Sequence, residues 1–210
     1  MKKATIWTII VLVGGYVICQ AIADIGATKL VFYRGITFPA GTFVFALTFT
    51  LRDLLHKRLG KEWARAVIIM CGIFNVVQAG YLAWVANMPF PPFFALGEQW
   101  GQVFAIVPAV TAGSIISEVI SQLVDTEVYH VFKDRGPQWV AVLLSNAISL
   151  PLDSFLFGVL AFVLLPPILG GEPIPFLAAM SIVAGQILWK AVVTIVSLPT
   201  IYLVKDKPIL

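Results

Sequence analysis

The chain has 210 residues, of which 60% are hydrophobic and only 12% are charged, and its formal net charge is +3. A soluble domain of this length does not need so much apolar surface, so the composition excludes a soluble enzyme and a soluble nucleic-acid-binding domain. With two cysteines and two histidines, the sequence offers neither a disulfide framework nor a metal centre, and we expect no metal and no cofactor.

Six stretches approach the roughly 20 apolar residues that a helix needs to cross a bilayer. They cover residues 5–24, 38–55, 65–87, 101–124, 138–165 and 175–204. The second is the weakest, because it is short and ends at Arg52 and Asp53. Pro39 stands in the first turn of this predicted helix, and Pro199 interrupts the sixth. We therefore predict an all-α membrane protein with six transmembrane helices in one domain over residues 1–210.

Lysine and arginine are distributed unevenly between the two ends of these predicted helices. Eleven lie on the side of the chain termini: Lys2, Lys3, Arg52, Lys57, Arg58, Lys61, Arg65, Lys133, Arg135, Lys205 and Lys207. Lys29 and Arg34 lie on the opposite side. Because positively charged loops stay in the cytoplasm, the pattern predicts a multi-pass protein of the cell membrane with both termini cytoplasmic.

The predicted fourth helix carries a polar stripe at spacings of three or four residues, which places its members on one face. The stripe consists of Thr111, Ser114, Glu118, Ser121 and Asp125, with Gln122 beside it. Small hydroxyl residues also occur at ordinary helix–helix interfaces, which is the simpler interpretation for the serines. Glu118 differs, since a carboxylate at membrane depth needs a cation, a proton or a cavity. Asp125 lies near the inner boundary, where solvation is an alternative.

The fifth and sixth predicted helices each place an ionisable residue near mid-membrane, at a cost of roughly 3 kcal/mol or more. Asp153 shares a face of the fifth helix with Asn146 and Ser149, and Lys190 shares a face of the sixth with Gln186 and Thr194. Antiparallel helices would bring Asp153 and Lys190 to similar depth. They form either a structural ion pair or the lining of a polar cavity, and the accompanying amides favour the cavity.

Intramembrane catalysis finds no support in the sequence. His56 and His130, which are its two histidines, are predicted to lie in charged inner loops, so neither could activate Ser114 at membrane depth. No glycine-rich loop of the GxxxxGK[ST] type is present to bind ATP. We therefore predict no catalytic residues and a protein that is not an enzyme.

An ordered set of residues nevertheless has a familiar pattern. It runs through Ala23–Lys29, Pro39–Phe43, Leu47–Phe49, Asp53, Gly60, Ala64–Arg65, Ser121–Tyr129, Trp139, Ser145–Asn146, Asp153–Ser154, Lys190 and Leu198–Tyr202. In this order the set resembles the queuosine precursor transporter family, also called the vitamin uptake transporter family. The resemblance covers nearly the whole chain, although Asp24, Arg52 and the pair His56–Lys57 depart from the usual family residues.

This resemblance implies a six-helix membrane protein that imports 7-deazaguanine precursors of queuosine, such as preQ0 and preQ1, or a related heterocycle. It also implies a fold similar to the substrate-binding subunits of energy-coupling-factor vitamin transporters. The matching positions are Asp53, Arg65, Gln122, Asp125, Ser145, Asn146, Asp153 and Lys190. Of these, Asp53, Arg65, Asp125 and Ser145 are expected to have structural or gating roles.

The chemistry of a 7-deazaguanine fits the polar residues of these helices. A carboxylate, Asp153 or Glu118, could accept its two adjacent N–H donors, and Asn146, Gln122 or Lys190 could donate to its carbonyl. An aromatic residue of the outer loops, or Phe155, Phe157 or Trp189, could stack on the ring. The predicted substrate-binding residues are thus Asp153, Lys190, Asn146, Glu118, Gln122 and Gln186.

Two other functions stay open at this point. One is a substrate-capture subunit for a vitamin-like ligand that needs a separate energising complex. The other is a small lipid-modifying membrane enzyme that uses the charged inner loop. The expected partners are a small-molecule substrate and the lipid bilayer, with a homo-oligomer or an energising partner as further possibilities and no nucleic acid.

Overall fold

A computed structural model describes residues 3–169 and 172–204 of the chain. Long helices dominate it, and they are joined by short connections and one β-hairpin. In chain order the elements are α1 (Lys3–Ala27), β1 (Leu30–Tyr33), β2 (Ile36–Pro39), α2 (Thr42–Leu59), α3 (Lys61–Ala86), α4 (Gly97–Ala105), α5 (Val107–Phe132), α6 (Gln138–Val159), a π-helical stretch (Leu160–Leu164), α7 (Pro166–Leu169), α8 (Phe176–Ser197) and a 3-10 helix (Leu198–Leu203).

The bundle has an apolar exterior, and its interior contains polar side chains as well as apolar ones. Large apolar side chains of α1, α3 and α8 are exposed, among them Trp7, Val77 and Val196 at 59%, 66% and 75%. The interior contains numerous buried hydroxyl, amide and charged groups. Among the described residues, five helices are long and apolar enough to cross a membrane: Ile6–Ala27, Lys61–Ala86, Gly97–Phe132, Gln138–Leu164 and Phe176–Leu203. The chain is therefore a helical, multi-pass membrane protein.

The second predicted span is not among these five, so the number six stays a prediction. Its helix, α2, begins at Thr42 rather than near residue 38 and continues past Arg52 and Asp53 to Leu59. Thirteen of its 18 residues are buried, because other helices surround it. A helix that faces protein on most sides does not need an apolar surface, and this explains why its span was the weakest in the sequence.

Helix α2 runs antiparallel to α1 along the length of the bundle. Leu51 of α2 packs beside Gly15 of α1, and Gly41 at the start of α2 touches the backbone of Ala23 near the end of α1. A Cβ atom at Gly41 would overlap the carbonyl group of Ala23. At 1.5 Å per residue, the 18 residues of α2 extend roughly 27 Å, which is close to the thickness of a bilayer core.

A β-hairpin occupies the connection between α1 and α2, where the sequence predicted no strands and a helix opening at Pro39. Antiparallel pairing joins Leu30 to Pro39 and Tyr33 to Ile36. Arg34 and Gly35 form the turn with positive φ angles of 51° and 83°, as a two-residue hairpin loop requires. Pro39 is therefore the last residue of β2 and not a residue of the helix.

The hairpin packs on one end of the bundle, which we call the hairpin end. The buried ring of Phe38 lies 5.3 Å from the ring of Phe43 and 5.5 Å from that of Trp189 on α8. A Cβ atom at Gly185 of α8 would overlap the carbonyl oxygen of Thr37, so glycine permits this close approach. The hairpin thus contacts the start of α2 and the middle of α8.

Three of the long predicted helices are interrupted or end differently from the prediction. The predicted span 101–124 is divided at Ile106, before Pro108, into α4 and α5, and α5 continues to Phe132. The predicted span 138–165 ends in the π-helical stretch, and the span 175–204 ends in the 3-10 helix that contains Pro199. Proline removes a backbone donor, which accounts for the breaks at Pro108 and Pro199.

The opposite end of the bundle, where α2 and α5 end and α3 and α6 begin, carries most of the basic residues. We call it the basic end. Arg58, Lys61, Arg65, Lys133 and Arg135 lie there. Arg52, which the charge pattern predicts at this end, is instead inside the bundle and only 1% exposed. Lys2, Lys205 and Lys207 lie outside the described residues, as do Gly170 and Gly171.

Candidate functional site

A cavity lies beneath the hairpin, between α1, α2, α5, α6 and α8. Its volume is about 20 Å³ and it is partly open to the outside. This is room for roughly one water molecule, so a larger ligand requires the cavity to widen. Its walls are formed by Ala23, Asp24, Ala27, Pro39, Gly41, Thr42, Phe45, Ser114, Ser117, Asp153, Phe157, Gln186 and Lys190. Concave sites of this kind, apolar with a few convergent polar groups, are where small molecules bind.

Asp153 and Lys190 form an ion pair in the cavity wall, with Lys190 Nζ 2.5 Å from Asp153 Oδ2. Both side chains are almost fully buried, at 1% and 2% exposure. Ser121 donates a hydrogen bond of 3.0 Å to the other oxygen of Asp153, and Lys190 lies 3.1 Å from Ser154 Oγ. The ammonium group also stands 4.8 Å from the ring centroid of Phe45. The structural ion pair and the cavity lining, which the sequence offered as alternatives, therefore occur together. The pair connects α6 to α8, and both of its residues line the cavity.

Three buried polar atoms of the cavity residues have no hydrogen-bond partner within the described part of the chain. They are Asp24 Oδ2, Thr42 Oγ1 and Gln186 Nε2. The second oxygen of Asp24 accepts a hydrogen bond of 2.8 Å from Ser114. Buried polar groups are nearly always satisfied in native proteins, so these atoms need water or a ligand. One acceptor, one donor and one hydroxyl group are thus available to a bound molecule.

Sequence reasoning missed Asp24 and Thr42 as site residues. Asp24 stood at the end of the predicted first helix, and Thr42 lay within a helix thought to open at Pro39. A signal was present in α1, where Tyr16, Gln20 and Asp24 recur every four residues on one face. All three side chains are buried, so this polar face points into the bundle.

Glu118 and Gln122 belong to a second network, beside the cavity, between α1 and α5. The Tyr16 hydroxyl lies 3.0 Å from Glu118 Oε1 and 3.0 Å from Gln122 Oε1. Gln20 Nε2 donates to the same oxygen of Glu118. The amide of Gln122 also reaches Thr48 Oγ1 at 3.4 Å. Of the six predicted substrate-binding residues, Asp153, Lys190 and Gln186 line the cavity, and Glu118 and Gln122 lie next to it.

Asn146 is separate from both groups. It lines an apolar groove between α6 and α8, together with residues such as Leu150, Pro151 and Thr194. Neither its amide nitrogen nor its amide oxygen has a hydrogen-bond partner in the described ranges. The structure therefore does not bring Asn146 together with Asp153 and Lys190 in one cavity.

The three aromatic candidates for stacking are also separated by the fold. Phe157 lines the cavity, whereas Phe155 is 47% exposed and faces outward. Trp189 packs on Phe38 and Phe43 under the hairpin. Phe45, which the sequence did not single out, is the second aromatic side chain in the cavity wall.

A charged cluster lies deeper in the bundle, around Arg52. Its guanidinium group bridges the carboxylates of Asp53 and Asp125, and Ser149 donates a 2.5 Å hydrogen bond to Asp125. Asp125 has 0% exposure, so the alternative of a solvated Asp125 is wrong. Ser145 is buried nearby on α6.

Arg65, the remaining predicted structural or gating residue, lies at the surface of the basic end. It is 33% exposed and forms ion pairs with Glu62 and Glu127 across α3 and α5. It is therefore not part of the Arg52 cluster, although the family resemblance implies structural or gating roles for Arg65, Asp53 and Asp125 alike.

The two histidines lie in helices rather than in loops. His56 is a buried residue of α2, with its ring 4.9 Å from that of Tyr129 and 6.0 Å from that of His130 on α5. Ser114 bonds Asp24 rather than either histidine. Within residues 3–169 and 172–204, no group of three or more metal-ligating side chains is present. Both described cysteines are free thiols.

Comparisons with known proteins place the chain in a family. Residues 39–204 match the sequence model of the family described as "Putative vitamin uptake transporter". The chain is also 25% identical over 189 residues to a protein of Bacillus subtilis (strain 168) named "Probable queuosine precursor transporter", and this match covers 87% of the chain and 78% of that protein.

No solved structure matches the chain, so the expected similarity to the substrate-binding subunits of energy-coupling-factor transporters stays a prediction. The family match covers well over half of the chain, including the residues of α2, α5, α6 and α8 that line the cavity. Because the matched family consists of transporters, the match excludes the alternative of a lipid-modifying enzyme. The chain therefore belongs to the vitamin uptake transporter family, and it is a multi-pass membrane transporter rather than an enzyme.

Proposed function

We propose that this protein imports a 7-deazaguanine precursor of queuosine, or a closely related heterocycle, and that the cavity beneath the hairpin binds it. The single observation that carries the proposal is the set of three unpartnered polar atoms on Asp24, Thr42 and Gln186, beside the buried pair Asp153–Lys190. The family and the name of the Bacillus subtilis relative support the substrate class.

The unpartnered atoms complement the polar edge of a 7-deazaguanine. Asp24 Oδ2 can accept a hydrogen bond from ring or exocyclic N–H groups, and Gln186 Nε2 can donate to the carbonyl oxygen. Both oxygens of Asp153 already accept hydrogen bonds, from Lys190 and Ser121. We therefore assign recognition of the donor edge to Asp24, and to Asp153 the role of holding Lys190 in the cavity wall. Phe45 and Phe157 would contact the faces of the ring.

We expect both termini in the cytoplasm, with the hairpin end outside. The antiparallel course of α2 beside α1 supports six crossings, and Arg58, Lys61, Lys133 and Arg135 gather at the basic end. The side of the membrane on which each terminus lies can be measured with two kinds of reporter fusion. One reporter is active only in the cytoplasm, and the other is active only outside it. A C-terminus that lies outside the cytoplasm would contradict six crossings.

A ligand panel on the purified protein tests the substrate class. We expect preQ0 and preQ1 to raise the melting temperature, because a ligand that binds the native state stabilises it. Guanine, adenine and several vitamins serve as comparison ligands. Uptake of the stabilising ligand by the chain alone, in a host that lacks energising subunits, would support a self-sufficient transporter. Binding without uptake would instead indicate a substrate-capture subunit, and stabilisation by vitamins alone would overturn the 7-deazaguanine assignment.

The variant Asp24→Asn tests the proposed role of Asp24 in this experiment. Loss of a hydrogen bond to a charged group is worth about 1.5–3 kcal/mol, so we expect affinity to fall roughly tenfold to a hundredfold. Stability should change little, because asparagine can still bond Ser114. The matched control is Asp134→Asn, which removes an exposed carboxylate far from the cavity. Wild-type affinity in Asp24→Asn would remove Asp24 from the site.

A further inference from the structure

Two buried carboxylates, Glu118 and Asp24, bridge the same pair of helices. Gln20 of α1 donates to Glu118 of α5, and Ser114 of α5 donates to Asp24 of α1. Gln20 and Asp24 are one turn apart, as are Ser114 and Glu118, so the carboxylates are separated by roughly 6 Å along the helices. Asp24 opens onto the cavity, and Glu118 lies behind it with 0% exposure.

The hydrogen-bond partners of Glu118 are neutral groups, the Tyr16 hydroxyl and the Gln20 amide. Its second oxygen, Oε2, has no partner among the described residues, and neither does Oε1 of Gln20. Two acceptor oxygens without donors therefore lie between α1 and α5. A proton on Glu118 would make its carboxyl group a hydrogen-bond donor and remove the buried charge.

No described basic side chain forms an ion pair with Glu118. Lys190 is paired with Asp153, and Arg52 is shared between Asp53 and Asp125. The titratable or charged groups that face this region from the surrounding helices are Tyr16 and Asp24 on α1, Arg52 on α2, Cys71 on α3, Asp153 on α6 and Lys190 on α8. A buried carboxylate without a cation is costly, and the carboxylate of Asp24 adds repulsion.

We propose that Glu118 is a proton-binding site that couples ligand uptake to an inward proton gradient. This inference rests on the proposed transport function. Glu118 takes up one proton from the cavity side, and its carboxylate becomes a neutral carboxyl group. Repulsion with Asp24 then disappears, so Asp24 stays ionised and accepts the N–H donors of the ligand. Proton and ligand therefore favour each other's binding reciprocally, and one proton moves inward with each ligand molecule.

Transport by proteoliposomes tests the coupling, with radiolabelled preQ0 as the probe. We expect an inward pH gradient to drive accumulation in wild-type vesicles and an inward Na⁺ gradient to have no effect. The variant Glu118→Gln mimics the protonated state, so it should lose gradient-driven accumulation but retain exchange of internal for external preQ0. Wild-type accumulation in this variant, or accumulation driven by Na⁺, would overturn the proposal.

Infrared spectroscopy of the purified protein tests the proton itself without any ligand. At neutral pH we expect a carbonyl band of a protonated carboxyl group that Glu118→Gln removes. Glu62→Gln, which alters a carboxylate with 81% exposure, should leave the band unchanged. Glu118→Gln should also keep wild-type thermal stability, since glutamine matches the neutral form in shape.

The two experiments separate failure of this inference from failure of the proposed substrate. An unchanged spectrum in Glu118→Gln, or clear destabilisation of that variant, shows that Glu118 carries no proton and overturns the inference. A band that disappears in Glu118→Gln, in a protein that does not bind preQ0, supports the proton site and overturns the substrate assignment alone.

Discussion

Replacing Arg52 with methionine is expected to destabilise the protein by about 3–5 kcal/mol, because removal of one partner leaves uncompensated buried charge. Arg52 is 1% exposed and bridges Asp53 and Asp125, which are themselves at 1% and 0% exposure. Its guanidinium also lies 5.8 Å from the ring centroid of Phe49. The melting temperature in detergent and the amount of folded protein in membranes measure this effect.

The control for this variant is Arg65→Gln. Arg65 also contacts two carboxylates, Glu62 and Glu127, but it is 33% exposed and they are 81% and 48% exposed. Solvent-exposed ion pairs contribute about 0–1 kcal/mol, so its loss should change stability little. A triple variant with Arg52→Met, Asp53→Asn and Asp125→Asn should recover part of the lost stability, since it removes the charges together. Equal effects of Arg52→Met and Arg65→Gln would contradict a special structural role for the Arg52 cluster.

Asp153→Asn is expected to cost about 3–5 kcal/mol of stability and to abolish uptake. The substitution leaves the ammonium of Lys190 buried, with Ser154 at 3.1 Å and the Phe45 ring as its remaining neighbours. Lys190→Met alone should have a similar cost, because the carboxylate of Asp153 would then lack its cation. Thermal unfolding and uptake of preQ0 measure the two effects separately.

The double variant Asp153→Asn with Lys190→Met distinguishes a structural pair from a binding role. It removes both charges, so most of the stability should return. If the pair also shapes the cavity wall for the ligand, ligand affinity should stay low in this stable protein. Full recovery of both stability and uptake would show that the pair only fastens α6 to α8. A stable single variant that transports normally would show that neither role is important.

Several parts of the fold were accessible to sequence reasoning because they depend on local pattern. Long apolar runs predicted the membrane helices, since the bilayer requires them. The three- and four-residue spacings in α5, α6 and α8 correctly placed Glu118, Asp153 and Lys190 on inward faces. Antiparallel geometry predicted similar depth for Asp153 and Lys190, and the structure places them in contact.

Other features depend on contacts between distant segments. The short apolar run before Arg52 predicts a position near an inner loop, yet Arg52 pairs inside the bundle with Asp125, 73 positions away. The hairpin was missed because its strands are only four residues each, and it depends on packing against Phe43 and Trp189. Asp24 seemed to be a helix terminus, and only the approach of α2 and α5 makes it part of a cavity.

The sequence by itself determined that this protein is a helical membrane protein with ionisable groups at depth, because hydrophobicity and helical period are properties of single segments. Only the tertiary structure decided which polar residues meet. It pairs Lys190 with Asp153 and Arg52 with Asp53 and Asp125. Among the described residues, it gives Glu118 and Asp24 no cation. The reason is that the energy of a buried charge depends on the groups around it, and the order of residues along the chain does not specify those neighbours.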